Sequence, residues 1–209
     1  MRRVSNTAIA SVTVVALCSG TWLLHNGTQV HPPPQPSAAQ AGTGDARRQG
    51  APALRHSPPE RIRIPAIGVN APLMGLGLTP QGSLDVPPAE QKNLAGWYQA
   101  GITPGERGTA IVAGHVDNAK GPAVFYNLGA LKKGSAIEVS RRDGGTALFT
   151  VDAVEVYAAR DFPDEKVYGA ASRPELRVIT CGGDYSKATG YQGNVVVFAH
   201  LTGSRAEAV

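Results

Sequence analysis

Beyond residue 60, apolar and polar positions alternate in short runs, and before it they do so hardly at all. Arg61-Ile62-Arg63-Ile64 alternates with period two and stops at Pro65, which reads as a first half-buried strand. Residues 67–73 predict a second short strand, and Leu84-Asp85-Val86 is a third candidate. Residues 89–94 read as a turn or short helix ahead of Gly96-Trp97-Tyr98, residues 109–113 as a short apolar strand, and residues 124–128 as one helical turn. Two stronger strands follow at 136–140 and 147–157. In the second, Leu148, Thr150, Asp152, Val154 and Val156 alternate against Phe149, Val151, Ala153 and Glu155. Residues 176–180 and 194–200 complete the set, the last carrying the β-branched run Val195-Val196-Val197. Seven or eight short strands with Gly-rich turns, no repeat and no long amphipathic helix predict a mostly β domain, a closed barrel or a sandwich.

The N-terminal pattern differs. Arg2 and Arg3 precede an apolar run over residues 7–24, near the lower limit for a bilayer span. Basic residues stay inside, so residues 1–25 are expected to anchor the chain to a membrane with everything later outside. The competing reading is a cleaved signal peptide, against which no clear small-residue site closely follows the run. Residues 26–59 contain His31-Pro32-Pro33-Pro34-Gln35-Pro36 and a Ser/Ala/Gln/Gly stretch, and predict an extended, disordered linker. A single catalytic-sized domain is expected over 60–204, with a C-terminal tail at 205–209.

Charge refines the partner class. The net charge of +4 is concentrated in residues 1–59, which hold five Arg and one Asp, whereas residues 60–204 hold 14 basic and 14 acidic residues. A nearly neutral domain lacks the basic face that nucleic acid requires. The leading arginines suit contact with anionic lipid or wall polymer as well as they suit a solvated tail.

Of the two cysteines, Cys18 lies inside the apolar run, and Cys181 is the only thiol of the domain. An exported protein usually pairs its cysteines, so Cys181, with no second cysteine in the domain to bridge to, is a candidate nucleophile. It ends the apolar stretch Arg177-Val178-Ile179-Thr180-Cys181 and is followed by Gly182-Gly183. His115, 66 positions earlier, also lies just past the end of an apolar strand. Strand ends can meet at one rim of a barrel, where a base beside a thiol and backbone N–H groups after it would serve acyl transfer. Gly182 permits a tight turn with an N–H toward a substrate carbonyl, and the Thr180 hydroxyl is a further candidate donor. Taken singly, a buried cysteine is an inert small hydrophobe and a histidine after a strand is a turn residue, so it is the pair that carries the expectation. One Cys with His115 and His200 falls short of a zinc set, so no metal and no cofactor is expected. His200, at the end of the last strand, reads as structural.

With these residues in view, the chain resembles the sortases, and most of all the class F sortases of high-GC Gram-positive bacteria. The likeness rests on Arg61–Pro65 (RIRIP), residues 66–69 (AIGV), 113–117 (AGHVD), 179–183 (ITCGG) and 195–199 (VVVFA), and runs from about residue 60 to 201. It implies an eight-stranded β-barrel and a membrane-anchored cysteine transpeptidase. Such an enzyme cuts an LPxTG-like sorting signal between Thr and Gly through a thioacyl intermediate, which an amine of a cell-wall precursor or a pilin resolves. By the resemblance Cys181 is the nucleophile, His115 the acid/base, and Thr180 the threonine before the cysteine. The chain departs from the pattern where the family carries an arginine at the start of the last strand. Asn194 stands there, 13 residues after Cys181, and Lys187 is the only cation between Cys181 and that strand. A neutral amide donates more weakly than a guanidinium, which leaves three expectations: Asn194 serves, an arginine comes from elsewhere, or turnover is slow. The opposing readings are a sortase-like domain that only binds sorting peptides, or another cell-wall cysteine peptidase. The absence of a Ser-His-Gly-Cys context and the His-before-Cys order both weigh against the last.

Overall fold

A computed structural model describes residues 32–42 and 50–206. The expected anchor over residues 1–25 and part of the expected tail lie outside the described residues. Among those described, no helix is long and apolar enough to cross a membrane.

Eight strands close into a barrel in the order β1 (Pro59–Ile64), β2 (Val69–Leu76), β3 (Ala95–Tyr98), β4 (Gly108–Gly114), β9 (Pro174–Ser186), β10 (Gly190–Ala206), β8 (Gly145–Ala158) and β7 (Ala136–Arg141), with β7 pairing back onto β1. β5 (Asp117–Asn118) and β6 (Gly121–Pro122) form a small separate hairpin after β4. Closure removes the sheet edges that would otherwise offer unpaired backbone groups. Two neighbour pairs are parallel, β2 with β3 and β4 with β9.

Alternation along each strand fills the interior. Ile62, Ile64, Val112, Ile137, Val139, Phe149, Val151, Leu176, Val178, Val197 and Leu201 form one buried cluster. Full burial of such a side chain contributes about 1.5–3 kcal/mol, so this cluster carries much of the stability. β8 does not keep one alternation throughout. Phe198 pairs with Ala153 but Ala199 pairs with Val151, so Asp152 is an extra residue. This bulge exchanges the faces: Phe149 and Val151 point in before it, and Val154 points in after it. Ala153 turns outward, toward Ile179, Val196, Phe198 and Val167. The crossover from β8 to β9, containing the short helix α1 (Asp164–Tyr168), lies over that outer cluster and packs Val167 and Phe162 onto it.

β9 and β10 run well past the stretches expected from their apolar cores, making a long hairpin that projects beyond Cys181 and Asn194. β3 carries no alternation, which is why sequence pattern did not single it out. Ala95 and Trp97 are nevertheless buried in the core, between β2 and β4. Of the expected third strand only a single bridge, Leu78 to Leu84, is formed.

Part of the stretch expected as a linker rests on the barrel. The Ala51 N–H donates to Leu201 O, the Leu54 N–H to Gly105 O, and the Ser57 N–H to the Thr103 hydroxyl. The buried Arg141 guanidinium donates to the carbonyls of Pro104 and Arg55. Upstream, Pro34 O comes so near Gly129 that a Cβ there would lie 2.0 Å from it, and the Gly42 N–H donates to Glu155. Backbone groups and one buried guanidinium thus hold segments that have little apolar content of their own.

Candidate active site

The outer face of the β4–β9–β10 part of the barrel carries the candidate residues. Parallel pairing of β4 with β9 sets Ala113 beside Ile179. That ladder ends there; Cys181 lies two residues further along β9, and His115 two residues further along the chain, just past the end of β4, with neighbouring strands about 4.8 Å apart. Thr180 fixes that juxtaposition from the other face. It is buried, and its hydroxyl donates to Gly114 O at 2.8 Å, tying the strand end that bears the thiol to the one that bears the imidazole. A threonine hydroxyl has one hydrogen to donate. With that hydrogen given to Gly114 O, Thr180 acts as a tie between strands and has no donor left for a substrate oxyanion, contrary to its expected second role.

Asn194 sits directly across from Cys181 in the antiparallel β9–β10 register. Directly paired residues share a face of the sheet and lie about 4.5–5.5 Å apart at Cα. Cys181 and Asn194 therefore share one face of two adjacent strands, and His115 follows the end of the next strand, β4. The arginine on the same face of β9 is Arg177, four residues before Cys181. It is buried, donates to Glu175 at 2.8 Å and stacks on Phe198 at 4.6 Å. Lys187 and Gln192, the other side chains of this stretch able to donate, are exposed on the projecting hairpin.

The two glycines after the cysteine have separate reasons. A Cβ on Gly182 would lie 2.6 Å from the Val195 side chain and 3.3 Å from its backbone nitrogen, so only glycine fits this buried position. Gly183 adopts φ +77°, a left-handed conformation natural to glycine. Its N–H points to the side-chain oxygen of Gln35 at 3.3 Å, so the docked proline-rich segment reaches the backbone behind the thiol.

His115 is oriented by a loop the sequence did not flag. Its Nε2 lies 2.6 Å from Pro87 O. A carbonyl only accepts, so Nε2 bears hydrogen and Nδ1 is the nitrogen left for proton exchange. A second contact ties the loops that flank the rim. The Tyr191 hydroxyl donates to Asp117 Oδ2 at 2.6 Å, joining the β9–β10 hairpin to the β5–β6 hairpin. Burial first, and then the bond to Asp117, push the Tyr191 phenol well above its ordinary range. Burial and the same carboxylate raise Tyr126 as well. The AGHVD string contains Asp117, but nothing in the sequence joins it to a tyrosine 74 positions away.

His200, expected at the end of the last strand, lies within β10, which continues to Ala206; it is buried, with Nδ1 at 2.8 Å from the Asp152 carboxylate. Six residues separate it from Asn194, about 20 Å along a strand. It belongs to a separate cluster with Asp152, Arg173 and Glu175. Among the described residues no group of three or more His, Cys, Asp or Glu is placed to hold a metal ion.

A thiol, an imidazole and a side-chain amide on one barrel rim are the parts that acyl transfer requires. Comparison with known proteins gives this rim its context. The sortase domain family matches residues 62–202, most of the barrel. The chain belongs to the sortase family. Sortases are cysteine transpeptidases, and solved sortases share the fold. Sortase A of Listeria monocytogenes aligns at TM-score 0.55 and 17% identity, covering 71% of this chain and 90% of that one. A sortase A of Actinomyces oris aligns at TM-score 0.55 and 19% identity, covering 77% and 90%. A sortase D5 transpeptidase of Clostridium perfringens aligns at TM-score 0.51 and 21% identity, covering 70% and 79%. No curated protein matches the chain.

Proposed function

We propose that this sortase is of class F, is held at the outer face of the cell membrane by its N-terminal segment, and joins secreted surface proteins to a cell-wall or pilin amine. Its substrate is an LPxTG-like sorting signal cut between Thr and Gly. The Cys181 thiolate attacks the threonine carbonyl carbon. The tetrahedral intermediate collapses with a proton from His115 to the leaving glycine amine, and a thioester remains on Cys181. An incoming amine, deprotonated by His115, attacks the thioester, expels the Cys181 thiolate and releases the joined product, with the thiolate and protonated imidazole restored. Asn194 donates its amide N–H to the carbonyl oxygen as negative charge develops there.

What supports this reading is that Cys181 pairs with Asn194 in the β9–β10 register, and that β4, which leads into His115, runs parallel beside β9 in a chain of the sortase family. A neutral donor at Asn194 predicts slower acylation than a guanidinium would support. It also keeps a second reading in view, a domain that binds sorting peptides and acylates poorly. The test is incubation of the protein with a fluorogenic LPxTG-like peptide, with and without a glycine-based amine. Amine-dependent transfer that vanishes in Cys181→Ala supports the transpeptidase. Peptide binding without transfer in the wild type would favour the binding domain. For topology, protease added to protoplasts should remove the barrel, and full protection would reverse the orientation.

A further inference from the structure

We infer that Asp117 and Tyr191 are positioning residues, a clamp between two hairpins that sets the alignment of His115 with Cys181 and Asn194; the inference rests on the roles proposed above for those three. His115 lies two residues before Asp117, at the root of the β5–β6 hairpin. Asn194 lies three residues after Tyr191, at the root of the β9–β10 hairpin, with Cys181 on its partner strand. The barrel ladder between β4 and β9 ends at Ala113 and Ile179, before either reactive side chain. Beyond that point the Thr180 bond to Gly114 O ties the backbones on the face away from the thiol. The Tyr191 bond to Asp117 ties the projecting hairpins.

The contact is built for this task. A phenol on a carboxylate at 2.6 Å is a charge-assisted bond, roughly twice as strong as a neutral one. Its ring is held in turn by Tyr185, with centroids 5.0 Å apart at 57°. On the other side, the β5–β6 hairpin is pinned by the Phe125 N–H to His115 O and the Ala123 N–H to Val116 O. Releasing the clamp frees each hairpin to swing about its root, where the reactive residues sit. Misplacement of reacting groups by about 1 Å costs on the order of 10²-fold in rate.

The test compares Tyr191→Phe, Asp117→Ala, Asp117→Asn and the double variant Tyr191→Phe/Asp117→Ala in the full chain. Tyr191→Phe keeps the ring against Tyr185 and removes only the hydroxyl. The expectation is a roughly 10-fold fall in kcat with KM little changed and the melting temperature held within a few degrees. The double variant should be no slower than either single, because both remove the same bond. Asp117→Asn, which keeps an acceptor, should recover part of the loss. Alkylation of Cys181 by iodoacetamide, followed by peptide mass spectrometry to separate it from Cys18, should slow by about 5-fold in Tyr191→Phe as the imidazole leaves its place beside the thiol. That rate needs no sorting peptide, so it judges the clamp even if the proposed substrate is not turned over. Wild-type kcat and alkylation in Tyr191→Phe would overturn the inference, as would additive losses in the double variant or a loss confined to KM.

Discussion

The barrel carries two histidines, one just past the end of β4 and one within β10, each held through one ring nitrogen, and their surroundings separate them. His115 is half-buried, gives Nε2–H to a loop carbonyl, and emerges beside a thiol. His200 is buried and faces the Asp152 carboxylate within a cluster of ion pairs. A carbonyl on one nitrogen leaves the other available for proton exchange. The Asp152 carboxylate holds His200 within a buried cluster of ion pairs, with Arg173 and Glu175 adjoining, well along β10 from the residue paired with Cys181. Partner and exposure, more than residue type or strand position, distinguish the candidate acid/base from the structural histidine.

The sharpest way to break this contrast is to remove each imidazole. His115→Ala should reduce kcat/KM by roughly 10²-fold or more, the usual scale for acid/base catalysis, with little loss of stability. Near-wild-type turnover would move the role to another group. Asn194→Ala should lower single-turnover acylation of Cys181 by about 10-fold, the low end for an oxyanion donor because the amide is neutral. Unchanged acylation would leave Asn194 as a strand residue and send the search to Lys187 or Gln192. His200→Ala should do the reverse of His115→Ala. Leaving Asp152 without its imidazole should cost about 1–3 kcal/mol of stability in urea unfolding. Activity per folded molecule should stay within about twofold of wild type, since the site lies far off. A catalytic defect in folded His200→Ala would join the two ends functionally.

The smallest effect concerns acid. Burial disfavours the Glu175 carboxylate, yet the hydrogen bonds from Arg177 and Arg173 outweigh it and hold its pKa below the ordinary value. A depressed folded-state pKa stabilises the barrel fully above the unfolded glutamate value of about 4.3, and this contribution is lost as pH falls through the lower folded value. Urea midpoints at neutral pH and near pH 3 should therefore differ less in Glu175→Gln than in wild type. An unchanged difference would show that the pair contributes nothing to acid sensitivity.

Much of this architecture was legible in the sequence. Residues 61–64, 109–113, 136–140, 147–157, 176–180 and 194–200 all fall within strands, because a half-buried sheet imposes period two on side chains. β3 was missed because Ala95, Gly96 and Trp97 are buried in succession, without alternation. The face exchange on β8 was missed because a bulge at Asp152 leaves no mark in composition. The long β9–β10 hairpin was hidden by its glycines and polar residues, which show no alternation of apolar and polar positions. At the site, the β9–β10 register sets Asn194 across from Cys181, while the Thr180 hydroxyl turns inward to Gly114 O. Pro87 and the Asp117–Tyr191 pair were invisible because they act across long separations, one of them through a main-chain carbonyl.

The central claim is that Cys181 takes the acyl group of a sorting peptide. Intact-protein mass spectrometry after rapid acid quench of the wild-type protein with an LPxTG-like peptide measures this directly. The account predicts a mass increase equal to the peptide up to its threonine, localised to Cys181, reversed by added amine and absent from Cys181→Ala. Cleavage of the peptide with no adduct and equal rates in Cys181→Ala would contradict it.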